Sequence, residues 1–164
     1  MIVEQGAMLG VVSEEEDHEW DSVLDSRTRS GRGCPCCSGR KVSVTNSLTS
    51  VHPEVATQWH PTKNGSVIPD QVPAGSHTKY WWLCPEGPDH EWQVTVGGRT
   101  SSGSGCPCCA GLKVSVTNSI SSLLPNVAAQ WHPTKNGSLT PDQVVAQSAK
   151  KYWGNAPKVR ITSG

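Results

Sequence analysis

Apolar and polar positions alternate most clearly in the middle of the chain, where they predict a hairpin. Lys79-Tyr80-Trp81-Trp82-Leu83 reads as a short strand from its aromatic content. Trp92, Val94 and Val96 alternate with polar residues, the period of a second, half-buried strand. Upstream, Pro53 suits the first position of a short helix running through Glu54, Val55, Ala56, Thr57, Gln58 and Trp59, and Pro125 opens an equivalent stretch. Pro-Thr-Lys-Asn-Gly, at 61–65 and again at 133–137, carries strong turn chemistry and ends each helix. The run Gly-Gly-Arg-Thr-Ser-Ser-Gly-Ser-Gly (97–105) is predicted to be a loop leading into a cysteine cluster.

These patterns recur. KVSVTNSLTSVHPEVATQWHPTKNGSVIPDQV (41–72) returns as KVSVTNSISSLLPNVAAQWHPTKNGSLTPDQV (113–144), an offset of 72 residues without a gap. The same offset maps His18 to His90, Trp20 to Trp92, Arg27 to Arg99, and the CPCC at 34–37 to that at 106–109. Agreement of this kind points to duplication. By this period, residues 1–40 match the C-terminal part of a unit and 41–112 make a complete unit. Residues 113–153 match the N-terminal part, and 154–164 diverge. The counterparts of Cys84 are Val12 and Ala156, so the expectation is a slice of a longer array or a reading frame with altered ends, ahead of a self-contained protein with degenerate terminal repeats.

Composition narrows the class. Only 35% of the 164 residues are apolar, there is no Phe, and there are 16 Gly, 12 Pro and seven Cys. A chain without Phe and this rich in Gly, Pro and clustered Cys is expected to need disulfides or metal to support its core. The cysteines cluster as Cys34, Cys36 and Cys37 and as Cys106, Cys108 and Cys109, with Cys84 apart. Residues 1–12 carry Glu4 and no basic flank, making a poor signal sequence, and no stretch approaches the ~20 apolar residues of a membrane span. The expected setting is a reducing, intracellular compartment, cytoplasmic or nuclear, where clustered Cys with His reads as metal binding.

The candidate site is Cys84, His90, Cys106 and Cys109. The C-x2-C spacing within Cys106-Pro107-Cys108-Cys109 lets a tight turn aim two thiolates at one ion, and Cys84-x5-His90 supplies a thiolate and an imidazole from adjoining strands. A Cys3His set suits tetrahedral zinc and leaves no open catalytic position. Cys108 is left over as a free thiol or a packed small side chain; the same spacing selects Cys34 and Cys37 over Cys36. His18, Cys34 and Cys37 form a partial site lacking a fourth ligand, for which Glu14, Glu15 and Glu16 are candidates that the sequence does not separate. His60 and His132, beside Trp and Pro, read as packing or turn-capping residues. Trp59, Trp81, Trp92 and Trp131 read as the small core rather than as stacking platforms, and the Asn64 and Asn136 sequons as turns.

The assembled pattern resembles a zinc-ribbon, treble-clef-like repeat family. It is carried by PEVATQWHPTKNG (53–65), S-x3-YWWLC ending at Cys84, HEW (90–92), GRT (98–100) and GCPCCAG (105–111), and it extends over most of residues 13–153. The resemblance implies zinc ligation by Cys84, His90, Cys106 and Cys109, and it marks Trp59, Trp82, Trp92 and Arg99 as pattern positions. It implies a small metal-stabilised α+β fold of tandem repeats, each a short helix, a β-hairpin and a zinc knuckle. Family members are tandem arrays, some joined to very-short-patch-repair-type endonuclease domains, an association that implies nucleic-acid handling.

Charge adds a direction. Residues 1–25 carry eight acids and no Lys or Arg, whereas residues 26–164 carry 14 bases and 6 acids, a net +8. The leading expectation is therefore a non-enzymatic, nucleic-acid-binding accessory module. Arg27, Arg29, Arg32, Arg40, Lys41, Arg99 and Lys113 are its candidate contacts to DNA or RNA phosphates. The alternative is a structural or protein-interaction zinc module. Neither a membrane nor a small-molecule substrate is expected. Beyond residue 25 the acids Glu54, Asp70, Glu86, Asp89, Glu91 and Asp142 form no recognisable cluster of the kind a metal-dependent nuclease needs, so catalysis is not expected.

Overall fold

The computed structural model describes residues 17–156, a small α+β arrangement of short helices and one two-stranded antiparallel sheet. It divides into two compact units: 17–81 with 93–104, and 82–92 with 105–156. Val12 and Glu14–Glu16 lie outside the described residues.

In the first unit, α1 spans Leu24–Thr28, α2 Leu48–Val51 and α3 Pro53–Ala56. Ser47 caps α2, its hydroxyl accepting from Ser50 N at 3.2 Å. Leu48 is fully buried, and its N–H donates to Val72 O at 2.8 Å. Pro53 opens α3 as predicted, but the helix closes after one turn, at Ala56. The backbone then tightens, with Gln58 N bonding Val55 O and Trp59 N bonding Ala56 O. This places Trp59 where its indole donates to Val67 O at 3.1 Å and its ring lies 4.7 Å from Tyr80.

Strand β1 spans Lys79–Leu83 and pairs with β2, Glu91–Thr95. The flanking bonds Cys84 N to His90 O and Val96 N to Thr78 O set the register, placing Trp82 opposite Trp92. Trp82 is the fully buried tryptophan of the strand, whereas Trp81, the expected core residue, is half-buried. Neighbouring strand residues face opposite sides. On the Trp81 side Lys63 lies 4.6 Å over the ring, and the Asn64 side chain bonds both backbone groups of Trp81, at 2.8 and 3.0 Å.

The predicted loop at 97–105 begins instead as a helix, α4, Val96–Thr100. Thr95 ends the strand and caps the helix, its Oγ1 accepting from Gly98 N at 3.0 Å. A Cβ at position 98 would come within 2.9 Å of that oxygen, so the glycine admits the cap. Each glycine costs a helix about 1 kcal/mol, which the cap and the complete burial of Val96 offset. Val96 thereby leaves the strand and joins the core with Leu48, Val72 and Cys36.

The second unit repeats the local design. Helix α5, Ile120–Leu123, is capped by Ser119, and α6, Pro125–Ala128, opens on its proline. Ile120 N donates to Val144 O at 2.9 Å, and both side chains are buried with Trp82, Trp92, Cys106 and Cys108. No helix among the described residues is long and apolar enough to cross a membrane.

Candidate metal centre

Cys84 directly follows β1 and His90 directly precedes β2, so the hairpin brings thiolate and imidazole together across five intervening residues. The turn between them requires Gly87: a Cβ there would lie 2.6 Å from His90 Cδ2 and 2.7 Å from Nε2. Cys106 and Cys109 come from the knuckle, closed by Ala110 N to Cys106 O at 3.1 Å, Gly111 N to Cys108 O at 3.0 Å and Leu112 N to Pro107 O at 2.8 Å. Gly111 closes it at φ 70°, a left-handed backbone that side-chain-bearing residues rarely adopt.

One ligand atom from each of Cys84, His90, Cys106 and Cys109 lies within 4.8 Å of all the others. Cys84 Sγ and Cys109 Sγ are 3.7 Å apart, and His90 Nδ1 is 3.6 Å from Cys106 Sγ and 3.5 Å from Cys109 Sγ. A tetrahedral zinc ion with Zn–S of about 2.3 Å and Zn–N of about 2.0–2.1 Å has S···S edges of about 3.8 Å and S···N edges of about 3.5 Å. The residues fit the ion. Cys84, His90 and Cys106 are buried and Cys109 is exposed.

The thiols are in electrostatic conflict as they stand. Against the cost of burial, the N–H groups of Cys109 and Cys108 and the thiols of Cys109 and Cys84 hold Cys106 below its ordinary value. Although Cys109 is exposed as a residue, desolvation of its sulfur, then hydrogen bonds and negative charge from Cys84 and Cys106, push it up to about 12. A thiolate at Cys106 opposes ionisation of Cys109. A divalent cation removes that opposition, because a coordinating thiol is deprotonated outright. Cys108 stands apart: it is 2% exposed, it is not among the clustered ligand atoms, and burial and then the Cys106 charge raise its thiol. Cys36, also 2% exposed, lies 4.0 Å from Asp17 O, and burial and the Cys34 charge raise it likewise.

His18, Cys34 and Cys37 form a second cluster within the same distance limit, with Cys37 Sγ 3.4 Å from His18 Nδ1. Its histidine and Cys34 are half-buried and Cys37 is exposed, so it is the more open of the two.

Both imidazoles turn Nδ1 toward sulfur and Nε2 toward hydroxyls. His90 Nε2 lies 2.6 Å from Thr117 Oγ1 and 3.1 Å from Ser115 Oγ; His18 Nε2 lies 2.8 Å from Thr45 Oγ1 and 3.2 Å from Ser43 Oγ. Sequence reasoning missed these serines and threonines, and Gly87 too. The available signal was the unchanged return of KVSVTNS one offset later. These bonds cross 40/41 and 112/113, the points at which the sequence period divides the chain.

The basic candidates are dispersed in role. Arg99 bonds Ser104 O at 2.6 Å and Gln58 Oε1 at 2.5 Å within the first unit. Lys41 and Lys113 donate to Glu19 O at 3.2 Å and Glu91 O at 2.8 Å. Arg27 lies 5.4 Å over the Trp20 ring, and Arg29 pairs with Asp25 at 2.9 Å. Arg32 and Arg40 are exposed. His60 and His132 cap their turns, each Nδ1 accepting two backbone N–H groups, from Thr62 and Lys63 and from Thr134 and Lys135.

Residues 55–112 match the model of a family described as "Probable Treble clef zinc finger domain". The matched segment contains Cys84, His90, Cys106 and Cys109 and ends before Ser115 and Thr117. No curated protein matches the chain. The match over residues 55–112 and the Cys/His clusters together point to a zinc-binding module.

Proposed function

We propose that this protein is a non-catalytic module of tandem treble-clef-like units, in which zinc held by Cys84, His90, Cys106 and Cys109 serves to fold the chain. The observation that carries this reading is the set of S···S and S···N separations, 3.7, 3.6 and 3.5 Å, which fit the edges of a zinc tetrahedron. Four protein ligands leave no coordination position for a substrate or an attacking water, so the metal's contribution is folding energy. His18, Cys34 and Cys37 form a weaker site in the same reading. The test is metal content with chelation: one tightly held zinc ion per chain, and loss of folded structure around residues 84–120 when a strong chelator removes it. Retention of that structure after complete zinc removal would overturn the reading.

A second reading, a nucleic-acid-binding accessory role, is favoured by the exposed Arg32 and Arg40 flanking the first knuckle and by the +8 charge of residues 26–164. Affinity of this kind would be salt-sensitive and largely independent of sequence. Fluorescence anisotropy with labelled single- and double-stranded oligonucleotides at low and moderate salt tests it. Absence of binding at low salt, with nuclease-resistant capture of protein partners, favours a protein-interaction role instead.

A further inference from the structure

We infer that the Lys-Val-Ser-Val-Thr-Asn segment following each knuckle is an outer clamp that orients the metal-binding histidine, with Ser115 and Thr117 as positioning residues for His90. This rests on the zinc reading above and extends it to residues beyond the ligands. An imidazole that ligates through Nδ1 in its neutral form carries its proton on Nε2. His90 Nε2 faces Thr117 Oγ1 at 2.6 Å and Ser115 Oγ at 3.1 Å, and these hydroxyls stand 2.9 Å from one another. The Nε2–H donates to them, which holds the ring plane and keeps the Nδ1 lone pair directed at Cys106 and Cys109. Such outer partners orient metal-bound histidines and raise their basicity.

The clamp is itself tied down on three sides. Val116 N donates to Asp89 Oδ2 at 2.8 Å, Lys113 Nζ to Glu91 O at 2.8 Å, and Asn118 Nδ2 to Cys108 O at 2.8 Å. The segment is thus fastened to the residue before His90, to the residue after it and to the knuckle. Every one of these bonds recurs around His18, through Val44 to Asp17, Lys41 to Glu19 and Asn46 to Cys36, at 2.7, 3.2 and 2.8 Å. Asp17 and Asp89 each keep one buried oxygen, Oδ1, without a hydrogen-bond partner, and that of Asp17 lies 4.0 Å from His18 Nε2. A carboxylate on this side of the ring favours a proton on Nε2. The side chains of Lys113, Ser115, Thr117 and Asn118 each make a bond that Lys41, Ser43, Thr45 and Asn46 repeat, in a segment that returns unchanged.

The test uses the full chain loaded with zinc, and with cobalt(II) as a spectroscopic substitute. Zinc affinity is measured by competition with a chromophoric chelator for Thr117→Val, Thr117→Ser, Ser115→Ala and the double variant Ser115→Ala/Thr117→Val. The expected result is about 10–100-fold weaker zinc binding in the double variant, the range seen when outer partners are removed. Its cobalt d–d bands should change in energy or intensity. Thr117→Val keeps the shape and loses the hydroxyl, so it should weaken binding, whereas Thr117→Ser should restore affinity and spectrum. Unchanged affinity and spectrum in the double variant would overturn the inference, as would equal weakening by Thr117→Ser and Thr117→Val. If the double variant fails to fold even with excess zinc, the two single variants, each retaining one hydroxyl, decide the matter by the same criteria. Failure of the underlying zinc reading is distinct: there the parent chain would show no tight zinc, or binding indifferent to Cys106→Ala.

Discussion

The two Cys/His clusters share their sequence, their 72-residue offset and their outer hydrogen bonds, yet among the described residues only the second brings four ligand atoms together. Around His90 the hairpin delivers Cys84, and three of the four ligand residues are buried. Around His18 the described residues offer three ligands, none of them fully buried. The difference teaches what the hairpin adds: β1 and its turn deliver Cys84 and burial to the second cluster, whereas the knuckle, the imidazole and its hydroxyl partners recur in both.

Four predictions sharpen or break that comparison. The largest effect belongs to the ligands. Cys106→Ala should abolish tight zinc binding and unfold the segment around α5, since structural zinc contributes about 10–16 kcal/mol in small zinc domains. Cys34→Ala should leave the tight zinc ion in place. Metal analysis with hydrogen exchange of both variants checks this, and equal losses would erase the distinction between the clusters.

Next come the paired core positions. Leu48→Ala and Ile120→Ala each remove a buried side chain at the same point of the period, and each should cost about 2–5 kcal/mol locally. With zinc bound, hydrogen exchange should show the damage of Ile120→Ala spreading less, because the metal holds its surroundings; equal spread would place the stabilisation elsewhere. Gly87→Ala is expected to weaken zinc binding about 10–100-fold, by forcing the His90 ring off its clamp. Wild-type affinity in a chelator competition would show that the turn absorbs the methyl group. The smallest effect is Lys63→Ala, which removes a cation–π contact with Trp81 worth about 0.5–1 kcal/mol, without altering zinc content. Chemical denaturation followed by tryptophan fluorescence checks it.

Some of this architecture was legible in the sequence, and its failures have physical causes. Strand β1 and the Pro53 and Pro125 helix starts follow from aromatic content and from the fixed proline φ, both local properties. The second strand was legible except at its end, because Thr95 capping Gly98 overrides the alternation that placed Val96 in the strand. The exchange of Trp81 for Trp82 in the core followed from the face of the sheet that Asn64 and Lys63 occupy, which strand period alone does not decide. Arg99, a candidate phosphate contact by its charge, bonds Gln58, 41 residues away in sequence. A guanidinium's partner across such a distance leaves no local trace.

By itself the sequence determined the period, the knuckles and the ligand types, because C-x2-C spacing and glycine turns act over a few residues and need no tertiary context. Only the tertiary structure decided that His90 and His18 present Nδ1 to sulfur and Nε2 to hydroxyls 25 and 27 residues further on. It alone showed that Gly87 must be bare for the ring to pass. An imidazole has two nitrogens of similar chemistry, and choosing between them takes partners in space, which the spacing along the chain does not specify.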